Sequence, residues 1–207
     1  GSISRPLNKV YDPTYWPALE WIDFSAPAGE YGLSFLNLAN PAWHFDKEGT
    51  VEVILLRNVP SFAMVGVIVG GDYEEHTLYY SLVSHGMGDY CENRIPYQGI
   101  AFNAPLLTSV TTPHDGVLPV SYSLAWSDNP NVIITSIKRA EASDGVVIRL
   151  QRLGEGLQMA NIFTEFEGLN RVYQVNSLEL EPFPIKGSPE MFQVEMPSRI
   201  SSILLQP

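Results

Sequence analysis

Short runs of β-branched and aromatic residues, separated by proline and glycine, extend along the whole of this chain. Sixteen prolines and sixteen glycines are spread over 207 residues. The pattern contains no amphipathic helix longer than about two turns, and short runs between turn residues are typical of β-strands. The sequence therefore predicts an all-β protein, and a chain of this length can bury a substantial core.

Two predicted hairpins give the clearest strand signals. Residues 132–137 and 145–150 read as strands on either side of Asp144-Gly145. An Asp-Gly pair favours a tight turn, and we expect the glycine to supply a positive φ. Residues 191–196 and 200–205 predict a last hairpin, interrupted at Pro197-Ser198.

Earlier in the chain, the runs 51–57 and 77–83 are apolar on both alternating faces and predict central strands. We expect Arg57, at the end of the first run, to pair with an acidic residue. The segment Ser127-Asp-Asn-Pro-Asn131 is the strongest break in composition. It predicts a boundary between a large β-sandwich portion, 1–130, and a smaller C-terminal portion, 131–207.

Charge and cysteine content narrow the function. The formal net charge of −11 argues against nucleic acid and anionic membranes, which both need a basic face. No apolar run approaches the roughly 20 residues of a bilayer span. Cys91 is the single cysteine, which excludes an internal disulfide and a thiolate metal cluster. With no glycosylation sequon present, this favours the cytoplasm and leaves the periplasm open. Gly1-Ser2 is typical of a tag-removal scar, so we expect a piece of a longer protein.

Several segments, in a fixed order along the chain, carry a resemblance to a known enzyme family. Among them are Tyr79-Tyr-Ser-Leu-Val-Ser-His85 with Gly88-Asp-Tyr90, Phe102-Asn-Ala-Pro-Leu106, Ile137-Lys-Arg-Ala-Glu141 and Val175-Asn-Ser-Leu-Glu-Leu-Glu181, together with 16–23, 31–37, 48–57 and 147–150. This series resembles the C-terminal β-sandwich region of glycoside hydrolase family 38, the α-mannosidases. The chain departs from the family pattern at Tyr90, where a tryptophan is usual, and in a loop one residue longer at 87–88.

The resemblance implies a fold and a division of labour. The fold would be all-β, a supersandwich of the galactose-mutarotase type followed by a smaller immunoglobulin-like β-sheet. In the family, an N-terminal α/β barrel and a three-helix bundle pack against this region, and the barrel supplies zinc and the catalytic carboxylates. Those segments precede residue 1, so we carry over no catalytic residue and expect no cofactor in this piece. The implied partners are the parent enzyme's own catalytic barrel and helical domain.

Four residues are candidates for contact with carbohydrate. His85, Asp89 and Tyr90 lie together after a predicted strand. Trp43 stands in a loop-like stretch and is the best candidate for an exposed ring, whose face can stack on a sugar. The simpler alternatives are that His85 caps a strand end and that the aromatics fill the core. The four histidines have no metal-binding spacing, so no metal site is predicted.

The charged residues around the first hairpin predict a structural ion cluster. Lys138, Glu141 and Arg149 flank its turn, and exposed pairs of this kind contribute about 0.2–1 kcal/mol each. We expect the cluster to orient the last sheet. The other acidic residues are scattered, whereas a retaining glycosidase needs two carboxyl groups about 5 Å apart.

Three hypotheses about function follow. In the first, the chain is the non-catalytic C-terminal region of an α-mannosidase-like enzyme; it buttresses the catalytic barrel, lends a loop to the substrate cleft and is inactive alone. In the second, it is a stand-alone carbohydrate-binding β-sandwich. In the third, it is an interaction module that holds a homo-oligomer together. The first hypothesis predicts an exposed apolar patch where the barrel docks. The second predicts an exposed aromatic platform, and the third predicts a self-complementary apolar surface.

Overall fold

The computed structural model describes residues 2–4, 15–26, 29–39, 41–45, 48–56, 74–117 and 119–207. The prediction of an all-β protein is confirmed, because strands and a single short helix make up the regular structure of these residues. The elements are β1 Tyr15–Pro17, β2 Trp21–Ser25, β3 Gly32–Asn37, β4 Ala42–Phe45, β5 Val51–Val53, β6 Tyr80–His85, α1 Ile95–Asn103, β7 Ala125–Ser127, β8 Val132–Arg139, β9 Val146–Arg152, β10 Gln158–Thr164, β11 Arg171–Val175, β12 Phe183–Pro184, β13 Gly187–Ser188, β14 Met191–Met196 and β15 Ile200–Gln206.

The chain divides into two compact units. The N-terminal unit is Ser4–Ser109, and the C-terminal unit is Val110–Pro207 together with Gly1–Ile3. The boundary near 130 between two sandwich portions stays a prediction. It falls inside the C-terminal unit, in the turn between β7 and β8.

The N-terminal unit contains two three-stranded antiparallel sheets in the described part of the chain, with the orders β1-β4-β5 and β2-β3-β6. Aromatic rings of the two sheets meet. The Phe24 and Phe45 ring centroids lie 4.7 Å apart, and those of Phe35 and Trp43 lie 5.7 Å apart. The unit therefore buries an aromatic core between its sheets.

The C-terminal unit is a β-sandwich. Its four-stranded sheet has the order β13-β14-β10-β7, and its five-stranded sheet has the order β12-β11-β15-β9-β8. Every second residue of β14 is buried, as expected of a strand with one face on a core. The shared core is built by Val132, Ile148, Leu150, Ala160, Ile162, Val172, Phe192, Val194, Met196, Ile203 and Leu205.

Strand β15 occupies the middle of the five-stranded sheet, between β11 and β9. Its residues 201–205 are all buried, because both faces of the sheet are covered. Ile203 and Leu205 join the core between the two sheets. On the opposite face, Leu204 packs in a second cluster with Val147 and the partly buried Tyr173.

The first predicted hairpin is present, since β8 pairs with β9, with a bulge between Ile134 and Ser136. The predicted last hairpin is wrong, although its two strands form at the predicted positions. β14 pairs with β10 and β13 in the four-stranded sheet, and β15 pairs with β9 and β11 in the five-stranded sheet, so the turn at Pro197-Ser198 crosses from one sheet to the other. The expected positive φ at Gly145 is wrong. This glycine is required for close packing instead, since a Cβ there would lie 2.3 Å from the Leu205 carbonyl oxygen.

Of the two predicted central strands, the run 77–83 corresponds to β6, which begins and ends a few residues later, at Tyr80 and His85. The run 51–57 contains β5, which covers only Val51–Val53. Arg57 lies outside the described residues. Among the residues described, no helix has the length and apolar character needed to cross a membrane.

A long segment without regular structure precedes β7. Residues 105–117 and 119–124 form neither strand nor helix. Its large apolar side chains point into solvent: Leu107, Val110 and Val117 are each 100% exposed and Leu106 is 93% exposed. We call residues 105–124 the apolar segment.

Candidate functional site

A buried polar cluster joins the three strands of the β2-β3-β6 sheet. Asp23 on β2 faces Ser34 on β3, and His85 ends β6 opposite Gly32. The Asp23 Oδ1 atom accepts a 2.5 Å hydrogen bond from Ser34 Oγ and lies 2.9 Å from His85 Nε2. The His85 and Asp23 side chains are only 5% and 7% exposed. We call Asp23, Ser34 and His85 the strand cluster.

Gly32 makes room for the imidazole. A Cβ at this position would lie 2.1 Å from His85 Cε1 and 2.9 Å from the Phe24 carbonyl oxygen. Any side chain would therefore push the ring out of the place from which it reaches Asp23. The glycine is needed here for space, not for an unusual backbone conformation.

The Asp23 carboxylate is surrounded by polar groups of the strand cluster and of Ser25. His85 Nδ1 lies 3.1 Å from the Gly86 carbonyl oxygen, and Nε2 lies against the Asp23 carboxylate. Asp23 Oδ2 accepts a further bond of 2.9 Å from Ser25 Oγ. The carboxylate is thereby held by three donors.

This arrangement does not have the geometry of a serine nucleophile. In a catalytic triad the serine hydroxyl donates to the histidine, whereas Ser34 donates to Asp23. Ser34 is also fully buried. The strand cluster therefore ties three strands together, which agrees with the expectation that His85 caps a strand end. A sugar contact of His85 stays a prediction.

Asp89 organises the loop after β6. Its Oδ1 atom accepts hydrogen bonds from the backbone N–H groups of Cys91, at 2.8 Å, and Glu92, at 3.0 Å. Glu92 Oε2 accepts in return from the Asp89 N–H, at 3.1 Å. This reciprocal pair is a capping box, and it starts the turns that lead into α1. Asp89 thus shapes the loop, and its contact with carbohydrate stays a prediction.

Tyr90 and Cys91 pack behind this loop. The Tyr90 ring stacks on Trp21 with a centroid distance of 5.1 Å and an angle of 30°. Helix α1 also approaches that indole at Gly99, where a Cβ would lie 2.7 Å from Trp21 Cδ1. Burial raises the pKa of the Cys91 thiol above its ordinary value, so the thiol is protonated at neutral pH and is not an activated nucleophile.

The expectation that Trp43 is an exposed loop aromatic is wrong. Trp43 lies on β4, and its side chain is 1% exposed and packed against Phe35. The alternation of Ala42 to Phe45 turns the indole inward, where a large aromatic is most favourable. Trp43 therefore belongs to the core of the N-terminal unit.

The predicted ion cluster forms, and a fourth residue is at its centre. Glu179 Oε1 lies 2.8 Å from Lys138 Nζ and 3.4 Å from Arg149 Nη2. Lys138 also contacts Glu141 at 2.5 Å. The Glu179 carboxylate is 6% exposed. We call Lys138, Glu141, Arg149 and Glu179 the hairpin cluster.

Hydrogen bonds to Lys138 and to the Glu141 backbone N–H hold the pKa of Glu179 below its ordinary value. The contacts with Glu141 and Glu179 raise the pKa of Lys138. Both groups are therefore charged at neutral pH, and the hairpin cluster is a structural ion network.

Glu179 reaches the hairpin cluster because its loop adopts an unusual backbone. Glu179 and Glu181 have φ values of 64° and 59°, which are costly for residues with a Cβ. Asn176 Oδ1 accepts from the N–H groups of Leu178 and Leu180, each at 3.0 Å. The asparagine at the start of the loop is the one sequence signal for such a turn.

Across the described ranges, no three His, Cys, Asp or Glu side chains come together to hold a metal ion.

Comparison with known proteins identifies a shared fold. No family profile and no curated protein matches the sequence. Among solved structures, an α-mannosidase from Enterococcus faecalis V583 matches with a TM-score of 0.74 and 19% identity over 99% of this chain. A glycosyl hydrolase family 38 protein from Enterococcus faecalis matches with a TM-score of 0.65 and 19% identity over 93% of this chain.

The chain spans less than a quarter of both neighbours, 23% of the first and 22% of the second. At this identity the likeness establishes the fold. The all-β sandwich is therefore one that also occurs within much longer glycoside hydrolase chains.

Proposed function

We propose that the chain is the non-catalytic C-terminal region of a family 38 α-mannosidase-like glycoside hydrolase, where it buttresses the catalytic domain. The fold supports the assignment, since the whole chain matches a fraction of an α-mannosidase. The order of the resembling segments supports it independently, because they span both units.

The observation that carries the proposal is the apolar segment. Leu106 and Leu107 are 93% and 100% exposed, and burying one leucine contributes about 1.5–3 kcal/mol. Large apolar residues gathered in one exposed stretch mark a contact surface. We infer that another domain of the same polypeptide covers this segment.

The polar clusters of this chain support a structural role for it, with catalysis in another part of the parent enzyme. The strand cluster and the hairpin cluster have their hydrogen-bonding capacity taken up by structural contacts. Hydrolysis of α-mannosides would therefore belong to the rest of the parent enzyme, with its zinc and carboxylates. The loop around Asp89 is the element that this chain would lend to a substrate cleft.

The first test is the coding sequence upstream of residue 1. We expect an α/β-barrel segment with a His-X-Asp metal motif and an aspartate nucleophile. A signal peptide followed directly by residue 1 would refute the proposal.

The second test measures whether the apolar segment is covered in the full-length protein. Leu106→Asp with Leu107→Asp should lower its melting temperature and its rate of 4-nitrophenyl α-mannoside hydrolysis. The same pair should leave the melting temperature of the 207-residue chain unchanged, because both side chains are already exposed there. Leu157→Asp, at a leucine 54% exposed in a turn, is the matched control. Equal, small effects in the two proteins would contradict a covered segment.

A further inference from the structure

Strand β6 forms an open edge of the β2-β3-β6 sheet. The Leu38 N–H donates to the Tyr79 carbonyl oxygen at 3.3 Å, and hydrogen-bonded pairs alternate along an antiparallel ladder. Given the register of β3 and β6, this alternation leaves Tyr80, Leu82 and Ser84 with N–H and C=O groups that point away from β3. Within the described part of the chain, no strand pairs with β6 on that side.

The edge at β6 lacks the features that protect the other edges. Proteins keep exposed edges from pairing by making them short, by charges or bulges, or by a covering helix. Of the other edge strands that the structure describes, β1, β5, β7, β12 and β13 have two or three residues. β8 carries Lys138, Arg139 and a bulge, and α1 lies against β2 at Trp21. β6 has six residues, Tyr80–His85, with no lysine, arginine, aspartate, glutamate or proline and with an unbroken register.

The core of the N-terminal unit becomes exposed at this edge. Ile22, Phe35 and Leu82 lie side by side across β2, β3 and β6. Phe35 packs on Trp43 of the other sheet, and Ile22 is 9% exposed, whereas Leu82 is 57% exposed. Tyr80 lies two residues away on the same face and is 62% exposed. Apolar side chains beside unpaired backbone groups are the surface that an added strand buries.

We propose that the edge of β6 takes up one extended strand from the rest of the parent enzyme's polypeptide. This inference rests on the proposed function, which supplies the longer polypeptide. The chain covers only 23% and 22% of its two structural neighbours, so a parent of that length has ample chain for such a strand. A strand of the same polypeptide is held near the edge at high effective concentration, whereas a second copy would have to associate from solution.

The chemistry of the edge defines the incoming strand. Its backbone bonds to the outward N–H and C=O groups of Tyr80, Leu82 and Ser84. Its residue beside Leu82 extends the row of Ile22 and Phe35 and is apolar, because a charge in that row would be buried without a partner. Backbone bonds thus attach the strand, and alternate apolar side chains select it.

The test is amide hydrogen exchange at single-residue resolution, in the full-length protein and in a dilute solution of the 207-residue chain. In the 207-residue chain, Ser81 and Val83 should exchange slowly because they bond to β3, and Tyr80, Leu82 and Ser84 should exchange fast. In the full-length protein, these three outward amides should slow by about a hundredfold or more. The alternation along β6 would then disappear, which is the signature of a strand paired on both sides.

A charged variant sharpens the test. Leu82→Lys protects the edge in the way that natural edges are protected, so fast exchange of Tyr80 and Ser84 should return in the full-length protein. Leu157→Lys is the matched control, at a turn leucine of similar exposure, 54%, and should leave their exchange unchanged. Both variants should leave the melting temperature of the 207-residue chain unchanged, because both side chains are more than half exposed there.

Three results would overturn the inference. One is fast exchange of the outward amides in a full-length enzyme that hydrolyses α-mannosides, which leaves the proposed function standing. Another is slow exchange of the same amides in the dilute 207-residue chain, since the chain would then close its own edge. The third is protection that rises with the concentration of the 207-residue chain and is lost in Leu82→Lys, which would assign the edge to a second copy. Conversely, slow exchange only in a longer protein without mannosidase activity would support the added strand and refute the proposed function.

Discussion

The two units each contain a cluster of hydrogen-bonded polar side chains, and the clusters are built in different ways. In the strand cluster, Asp23 and His85 are 5–7% exposed and join three adjacent strands. In the hairpin cluster, a nearly buried Glu179 receives Lys138, which is 33% exposed, and Arg149, which is 27% exposed. The strand cluster is fixed within a sheet by register, whereas the hairpin cluster depends on a loop with a costly backbone. We expect burial to decide how much each one contributes to stability.

Asp23→Ala should have the largest effect. It leaves His85 and Ser34 buried without their acceptor, and each buried polar group that loses its partner costs about 1–3 kcal/mol. The measurement is urea unfolding, followed by the fluorescence of Trp21 and Trp43 in the N-terminal unit.

Asp144→Ala is the exposed control for this prediction, and its unfolding is followed by the fluorescence of Trp126, which lies in the same unit. It breaks an ion pair with Arg139 in which both side chains are about four-fifths exposed, 83% and 78%, and should cost less than about 1 kcal/mol. Equal costs for the two variants would show that burial does not decide how much such a contact contributes to stability.

Gly32→Ala should have the next largest effect, about 1–3 kcal/mol, because the new methyl group overlaps the imidazole and a backbone oxygen. We expect the His85 side-chain NMR signals to move as the ring leaves Asp23. Gly86→Ala is the matched control, since a Cβ at Gly86 meets nothing within 4 Å. Unchanged His85 signals in Gly32→Ala would contradict the close packing described here.

Glu179→Gln should have the smallest effect on unfolding, and its main signature is pH dependence. The folded pKa of Glu179 is lowered, so its contribution is complete above the ordinary glutamate value of about 4.3 and is lost as the pH falls through the folded pKa. The wild type should therefore lose its advantage over Glu179→Gln on acidification.

A second measurement on the same variant is amide hydrogen exchange at Glu141. The Glu141 N–H donates to Glu179 Oε2 at 2.9 Å, and its protection should fall in Glu179→Gln if the loop loosens. A stability difference that does not change between pH 7 and pH 3 would contradict the network.

The sequence predicted most where the strand pattern is local. The pair β8 and β9 follows from alternation and turn residues that lie close together in the chain. Alternation also places β14 and β15, but it does not show that they join different sheets. The prediction for Trp43 is wrong because the stretch from Asn40 to Phe45 has the local composition of a loop. Pairing with β1 and β5 makes residues 42–45 a strand. Pairing partners far away in sequence override local preference.

The same limit applies to the clusters. Lys138, Glu141 and Arg149 were predicted together because they flank one hairpin, but Glu179 joins them from 30 residues further along. Asp23 and His85 are separated by 62 residues, and only the register of β2, β3 and β6 brings them together. The open edge at β6 needed the same information, namely which strands are neighbours.

The central place of β15 has a consequence for synthesis of the protein. Its partners β9 and β11 are made first and cannot pair with each other in the final order, because β15 lies between them. The ribosome delivers the chain from the N-terminus, so the five-stranded sheet has an open gap until Gln206 has left the exit tunnel. We expect nascent chains halted before β15 to be held by chaperones, and the unit to close late and in one step.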